Sequence, residues 1–169
     1  MTRGNDDVVC RPVGVIHSRF KGTVGVPIQT AGVPDEPGTL EIYPGYAAGL
    51  RDVQDFEFLI LITHLHLADA QPLEVMPFLD DKTHGVFATR APARPNRLGL
   101  SIVRLQAVDG RRLHFLGNDM VDGTPVLDIK PYVPAFDVRD TPRIGWFAGR
   151  LDAMPATRSD ARMGKPRKR

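Results

Sequence analysis

Cysteine is nearly absent: Cys10 stands alone in 169 residues, which excludes an internal disulfide and any zinc site built from several thiolates. Lying near the N-terminus in an apolar run, it is expected to be a buried small hydrophobe. Long apolar runs are missing as well. None approaches the roughly 20 residues that cross a bilayer, and residues 1–7 hold no apolar signal core. These absences predict a cytoplasmic chain that neither spans nor anchors to a membrane. Several catalytic signatures are also lacking: a Gly-rich phosphate loop, a Gly-x-Gly-x-x-Gly after a strand, a Gly-x-Ser-x-Gly elbow and a His-Glu-x-x-His. Nucleoside triphosphate chemistry and Rossmann-type cofactor binding are thereby disfavoured. Sustained 3.6-residue periodicity is scarce, which leaves little room for long helices.

A large net charge is missing too, yet the total of +2 conceals an asymmetry. Residues 1–137 carry 13 Lys and Arg against 17 Asp and Glu, whereas residues 138–169 carry 9 against 3. The chain finishes with Lys165, Arg167, Lys168 and Arg169 among small and polar residues, a composition that cannot bury a core. Residues 151–169 are therefore expected to form a basic, disordered tail. Its two readings are a solubilising appendage and a polyanion contact that weakens steeply with salt.

What is present in quantity is glycine and proline, 16 and 15 residues, punctuating short apolar stretches. The pattern predicts an all-β, β-rich fold of one domain, a small closed antiparallel β-barrel with a few short helical turns, because closure hides strand edges. The expected division is an N-terminal arm over 1–9, the barrel over 10–150 and the tail over 151–169. Strands are expected at 8–16, 39–43, 56–67 (central and well buried), 73–77, 85–89 and 126–129, with a helical turn at 44–50. A hairpin joins 98–108 to 111–117 through Asp109-Gly110, a pair that accepts the positive φ of a tight turn. Within it Val103, Leu105 and Ala107 are expected on one face, and Leu113 and Phe115 on the inner face of the return strand.

Residues 85–99 run an apolar stretch into a loop where Arg90, Arg94 and Arg97 alternate with Pro92 and Pro95. Proline fixes φ, so the guanidinium groups are presented from a stiffened loop, suited either to an anion or to simple solvation. His64 and His66 share a face if they lie on one strand; they are read as hydrogen-bonded strand-end histidines or as a metal pair, the first favoured because no Cys or carboxylate with ligand spacing accompanies them, and a ligand contact by one of them stays open. Asp119 and Asp122 form a carboxylate pair on one loop, read either as turn chemistry or as acceptors for ribose hydroxyls or an amine. Asp128 and Lys130 are placed to pair with each other.

Taken together, Pro12-Val13-Gly14-Val15-Ile16-His17-Ser18, Pro27-Ile28-Gln29, Gly85-Val86-Phe87-Ala88-Thr89-Arg90, Arg94-Pro95-Asn96, Gly99-Leu100-Ser101 and the run from Asp122 to Tyr132 resemble the TsaA-like family of S-adenosylmethionine-dependent tRNA methyltransferases, over about residues 10–137. The resemblance implies a small antiparallel barrel that works as a homodimer, binds S-adenosyl-L-methionine without a metal, and methylates N6 of threonylcarbamoyladenosine beside the tRNA anticodon. It assigns the cofactor to Pro27, Ile28, Gln29, His66, Leu67, Arg90, Leu100, Asp119, Met120, Val121 and Asp122. Candidates for a base are His66, Asp119 and Asp122, and a mechanism that rests on positioning alone is equally compatible with the sequence. Candidates for RNA contact are Arg94, Arg97, Lys130 and the terminal Lys165, Arg167, Lys168 and Arg169. Ile28 stands where many relatives have arginine, and Arg97 adds a charge where they commonly have proline. Two other functions remain compatible: a barrel that senses the cofactor without transferring its methyl group, and a methyltransferase of a small molecule.

Overall fold

The computed structural model describes residues 8–163. The fold is mostly sheet. Six strands, β1 (Gly14–His17), β2 (Pro37–Ile42), β3 (Phe58–His64), β6 (Leu98–Asp109), β7 (Arg112–Leu116) and β8 (Pro125–Pro131), pair antiparallel in the order β1-β2-β7-β6-β3-β8. The pairing then returns to its start, because Gly14 faces Val126 and Val15 faces Pro125. A two-residue ribbon, β4 (Glu74–Val75) with β5 (His84–Gly85), stands outside this ring.

Alternation explains the interior. Along β3 every second residue turns inward, burying Leu59, Leu61 and Thr63; β2 contributes Leu40 and Ile42, and β7 contributes Leu113 and Phe115. All of these but Thr63 form one apolar cluster with Ile16, Val103 and Val126, each large aliphatic side chain stabilising the fold by roughly 1.5–3 kcal/mol. Gly38 is needed for the Phe115 ring to lie flat on β2: a Cβ there would come 2.5 Å from the ring. The β6–β7 hairpin turns at Asp109-Gly110, Gly110 having φ +56°.

Several sequence expectations change. Residues 8–10 are exposed, Cys10 among them, because the ladder with β2 begins only at Gly14. The stretch 85–89 extends only as far as Gly85 and then makes a 3-10 turn, Val86–Ala88; the 44–50 turn is likewise 3-10. On β6 the register shifts between Leu105 and Ala107, a bulge that turns Ala107 outward and lets Val108 pack on the core in its place.

After β8 a single turn of helix, α1 (Pro134–Asp137), leads into a strap of 3-10 turns at Gly145–Phe147, Leu151–Ala153 and Ala161–Met163. The strap is anchored to the body. The Trp146 indole N–H donates to the Ala88 carbonyl at 2.7 Å, and the ring stacks on His84. Arg150 reaches the Asp80 carboxylate at 3.2 Å, and that nearly buried carboxylate also holds the His84 ring at 2.9 Å. Ser159 exchanges backbone hydrogen bonds with Gly25 and Val26. Residues 151–163, whose composition reads as the start of a disordered tail, are therefore seated against the loops at 23–29 and 76–81. Their order comes from polar anchors, which a count of apolar residues does not register. Lys165, Arg167, Lys168 and Arg169, like residues 1–7, lie outside the described residues.

Candidate functional site

A cleft of about 580 Å³ opens where the far end of β3 and the start of β6 meet four loops. The pairing Thr63↔Gly99 and Leu61↔Ser101 forms its floor. Pro27, Ile28 and Gln29 make one wall, His66 and Leu67 a second, Arg90 with Arg94 and Pro95 a third, and Asp119, Met120 and Val121 a fourth, while Ser159 and Asp160 of the strap close the rim.

The floor is where hydroxyls interrupt the apolar alternation. Ser101, buried and inward-facing on β6, donates to Asp119 Oδ1 at 2.6 Å. Burial pushes the Asp119 carboxyl up to about 6, against the opposing pull of the Ser101 hydroxyl, nearby backbone N–H groups and Arg90. Beside it, Thr63 Oγ1 is the one fully buried side-chain oxygen or nitrogen without a hydrogen-bond partner among the described residues. It lies against Gly99, where a Cβ would come within 2.5 Å of it. An orphaned hydroxyl costs about 1–3 kcal/mol, so this floor is suited to a polar guest.

The walls are held by specific backbone geometry. Asn96 and Arg97 adopt positive φ, 62° and 51°, a conformation Asn tolerates and Arg does not favour. It is fixed by hydrogen bonds from Leu65 N–H to the Arg97 carbonyl and from the Arg97 guanidinium to the Ala68 carbonyl. Arg94 donates to the Thr89 carbonyl at 3.1 Å. Below this loop Val75, Val86, Ala91 and Ala93 form a small apolar cluster of their own, with Phe78 packed on it. Arg90, exposed, donates to Gln29 Oε1 at 2.8 Å and so ties two walls together. Phe87, Leu98 and Leu100 stand exposed along the same opening.

His66 lines the cleft, but it does not share a strand face with His64. The chain turns after β3, His66 N–H bonding the His64 carbonyl at 2.8 Å. Burial, and secondarily His64, pushes the His66 ring below its ordinary value, so it is neutral near pH 7. Among the described residues no group of three or more His, Cys, Asp or Glu is placed to hold a metal ion.

The expected carboxylate pair divides. Asp119 faces the cleft, whereas Asp122 lies outside it, accepting from Ser18 N–H at 2.9 Å and pairing with Lys21 at 2.9 Å, partners that hold its carboxyl below the usual range. Three residues along a loop with a turn at Gly123, φ +78°, are enough to send the two side chains in different directions. Lys130 pairs with Asp128 at 2.6 Å on β8, away from the cleft. Sequence reasoning missed Thr63 and Ser101. Their signal was available as a hydroxyl at an inward-facing phase of an otherwise apolar strand.

Comparisons with known proteins bear on the same residues. Residues 15–138 match the tRNA-methyltransferase O N-terminal domain. The chain is similar, at 48% identity over 156 residues, to a protein of Pyrococcus abyssi named "Probable S-adenosyl-L-methionine-binding protein", covering 92% of this chain and 85% of that one. It is 34% identical over 142 residues to the Mus musculus tRNA (adenine(37)-N6)-methyltransferase, covering 78% of this chain and 32% of the mouse protein. The crystal structure of TrmO from Pseudomonas aeruginosa superposes with a TM-score of 0.69 at 37% identity, over 83% of this chain and 62% of that one. The chain thus spans most of the archaeal relative but only about a third of the mouse enzyme. The matched region takes in nearly all of the six paired strands and every cleft residue except Ser159 and Asp160 of the strap, and the chain belongs to the tRNA-methyltransferase O family.

Proposed function

We propose that the chain is an S-adenosyl-L-methionine-dependent methyltransferase that acts on N6 of threonylcarbamoyladenosine beside the tRNA anticodon, its strand ring serving as a small closed barrel and its working form a cytoplasmic homodimer. One observation carries this reading. Ten residues from five separate segments, Pro27, Ile28, Gln29, His66, Leu67, Arg90, Leu100, Asp119, Met120 and Val121, line a single cleft, and these are positions to which the family resemblance assigns the cofactor.

The donor set suits such a guest. Arg90 offers a planar fork of donors for a carboxylate. Asp119 and the unpartnered Thr63 hydroxyl offer acceptors for an ammonium or ribose hydroxyls. The apolar walls take the rest. When bound, the cofactor supplies a methyl group on a sulfonium, transferred to the acceptor nitrogen as the carbon–sulfur bond breaks and its electron pair returns to sulfur. The protein's part is alignment and proton removal. Neutral His66, on the wall of the cleft, accepts the proton that the acceptor nitrogen loses. Asp122, paired with Lys21 outside the cleft, serves instead to fix the loop that carries Asp119. Arg94 and Arg97, on the cleft's outer loop, face the RNA or the second subunit; exposed Phe87, Leu98 and Leu100 beside them favour a covered surface there.

A second reading, a barrel that binds the cofactor without transferring its methyl group, is favoured by the printed name of the Pyrococcus relative, which specifies binding alone. The two separate cleanly. Labelled S-adenosyl-L-methionine is incubated with the chain and with tRNA carrying or lacking the threonylcarbamoyl group. Label passing only to the modified tRNA is the expected result. Cofactor binding with no transfer to any RNA would leave the sensor; absence of cofactor binding would remove both.

A further inference from the structure

Beside the cleft lies a second cavity, of about 300 Å³. Its outer wall comes from the strap, chiefly Trp146, Phe147, Leu151 and Met154, and these positions follow the region matched to the family's domain, which ends at residue 138. The opposite wall includes Phe78. Gln29 and Arg90, hydrogen-bonded to each other, supply the polar edge, and with Ile28 and Phe78 they also line the cleft, so the two spaces share a wall.

Size, shape and polarity each restrict the occupant. The volume sits at the lower end of ligand pockets, room for one ring system and not for a whole cofactor. Aromatic walls favour a flat guest, and they are stiff: His84, Trp146 and Phe147 stack in series, with centroids 4.7 and 3.9 Å apart. An aliphatic chain would leave the edge unanswered, because Gln29 and Arg90 present amide and guanidinium groups. A planar group with apolar faces and a hydrogen-bonding rim satisfies all three restrictions, and that is the chemistry by which proteins receive an unstacked nucleobase. Contiguity with the cleft adds a reason for it to be there, since an acceptor has to reach the transferable methyl group from beside the cofactor.

We propose that this cavity is the acceptor pocket, taking the nucleobase of the methyl acceptor between Phe78 and the Trp146–Phe147 stack, and that the strap therefore completes the active site. The inference rests on the methyltransferase reading for its role, but not for its test, which detects base binding directly.

Trp146 is the only tryptophan in the chain, so its emission reports this cavity. The full chain is titrated with adenosine and with N6-threonylcarbamoyladenosine as free nucleosides, with and without saturating S-adenosyl-L-methionine, while equilibrium dialysis measures affinity. The expected result is a saturable change in Trp146 emission that ribose 5-phosphate does not produce. Leu151 is 44% exposed, so Leu151→Tyr fills the cavity without disturbing the core. This variant, and Phe147→Leu, which keeps bulk but removes a stacking face, should each weaken nucleoside binding about tenfold, as loss of one base stack does. Both should leave cofactor affinity unchanged. Nucleoside binding without a Trp146 response, undiminished binding in Leu151→Tyr, or no nucleoside binding in a chain that binds the cofactor would each overturn the proposal. If the wild-type chain fails to bind the cofactor, the methyltransferase reading falls, and the Trp146 titration still decides what this cavity takes.

Discussion

Between Gly14 and Pro131 the chain is held by continuous ladders around an apolar interior; from Trp146 to Arg162 it is held by a short backbone bridge at Arg158 and Ser159 and by side chains reaching to a few fixed carbonyls and one carboxylate. The strand ring loses its shape only if many contacts fail together. The strap depends on Trp146, Arg150, Ser159 and Arg162, each gripping a different point of the body. The cleft and the second cavity lie between the two regions, so a rigid scaffold supplies the chemistry and a lightly anchored segment supplies the rim. Loops of low local stability are where binding surfaces that must admit a large substrate are commonly found.

The sharpest way to break this comparison is to damage the ring. Leu61→Ala, at a position 1% exposed, should cost about 2–5 kcal/mol and move the far-UV and near-UV transitions in urea together, because the strap has nothing to hold once the strands go. Next in size is the titration of Asp119. Its folded value of about 6 lies above the ordinary 3.8, so the folded state keeps the proton longer, and the contribution of this group favours folding at low pH. That contribution is lost as pH rises through the window from about 4 to about 6, amounting to up to about 3 kcal/mol. Asp119→Asn should flatten the difference, seen by comparing urea midpoints of the two proteins across that window; parallel profiles would exclude Asp119 as the source.

Thr63→Val should raise the stability of the ligand-free chain by about 1 kcal/mol, since it removes an unpartnered buried hydroxyl, and should weaken cofactor binding several-fold by calorimetry. A merely structural hydroxyl would instead show a loss of stability. Smallest is the strap. Ser159→Ala removes the hydroxyl that accepts from Val26 N–H at 2.9 Å, worth about 1 kcal/mol locally. The near-UV signal of Trp146 should then melt at lower urea while the far-UV midpoint stays within error. Equal shifts of both probes would show that the two regions are one cooperative unit.

How much of this was legible in the sequence follows the same division. The β6–β7 hairpin was readable because Asp109-Gly110 and the alternation of Leu113 and Phe115 are local signals, and β3 because the five consecutive apolar residues from Phe58 to Ile62 have few other places to go. Ala107 was misplaced because a bulge inserts one residue without any mark in composition. Cys10 was misplaced because an apolar run is no guarantee of a partner strand. The cleft's residues were legible only through resemblance, since Pro27, His66, Arg90 and Asp119 become neighbours by tertiary folding alone. The strap was not legible at all: one buried carboxylate at Asp80 and a serine opposite Val26 decide its position, and neither leaves a periodic trace.

The seam between β1 and β8 has a consequence for how quickly the molecule assembles. It joins Gly14 to Val126 and is reinforced by Ser18 meeting Asp122 and Asn118, contacts spanning 104 and 100 residues. Loop-closure entropy for such pairs is lost before any contact repays it, whereas the β6–β7 hairpin closes across a two-residue turn. The hairpin therefore forms early and the seam late. Since Asp119 sits on the loop that the seam fixes, a newly made chain sets the Asp119 wall of its cleft only once the seam has closed, later than the β6–β7 hairpin.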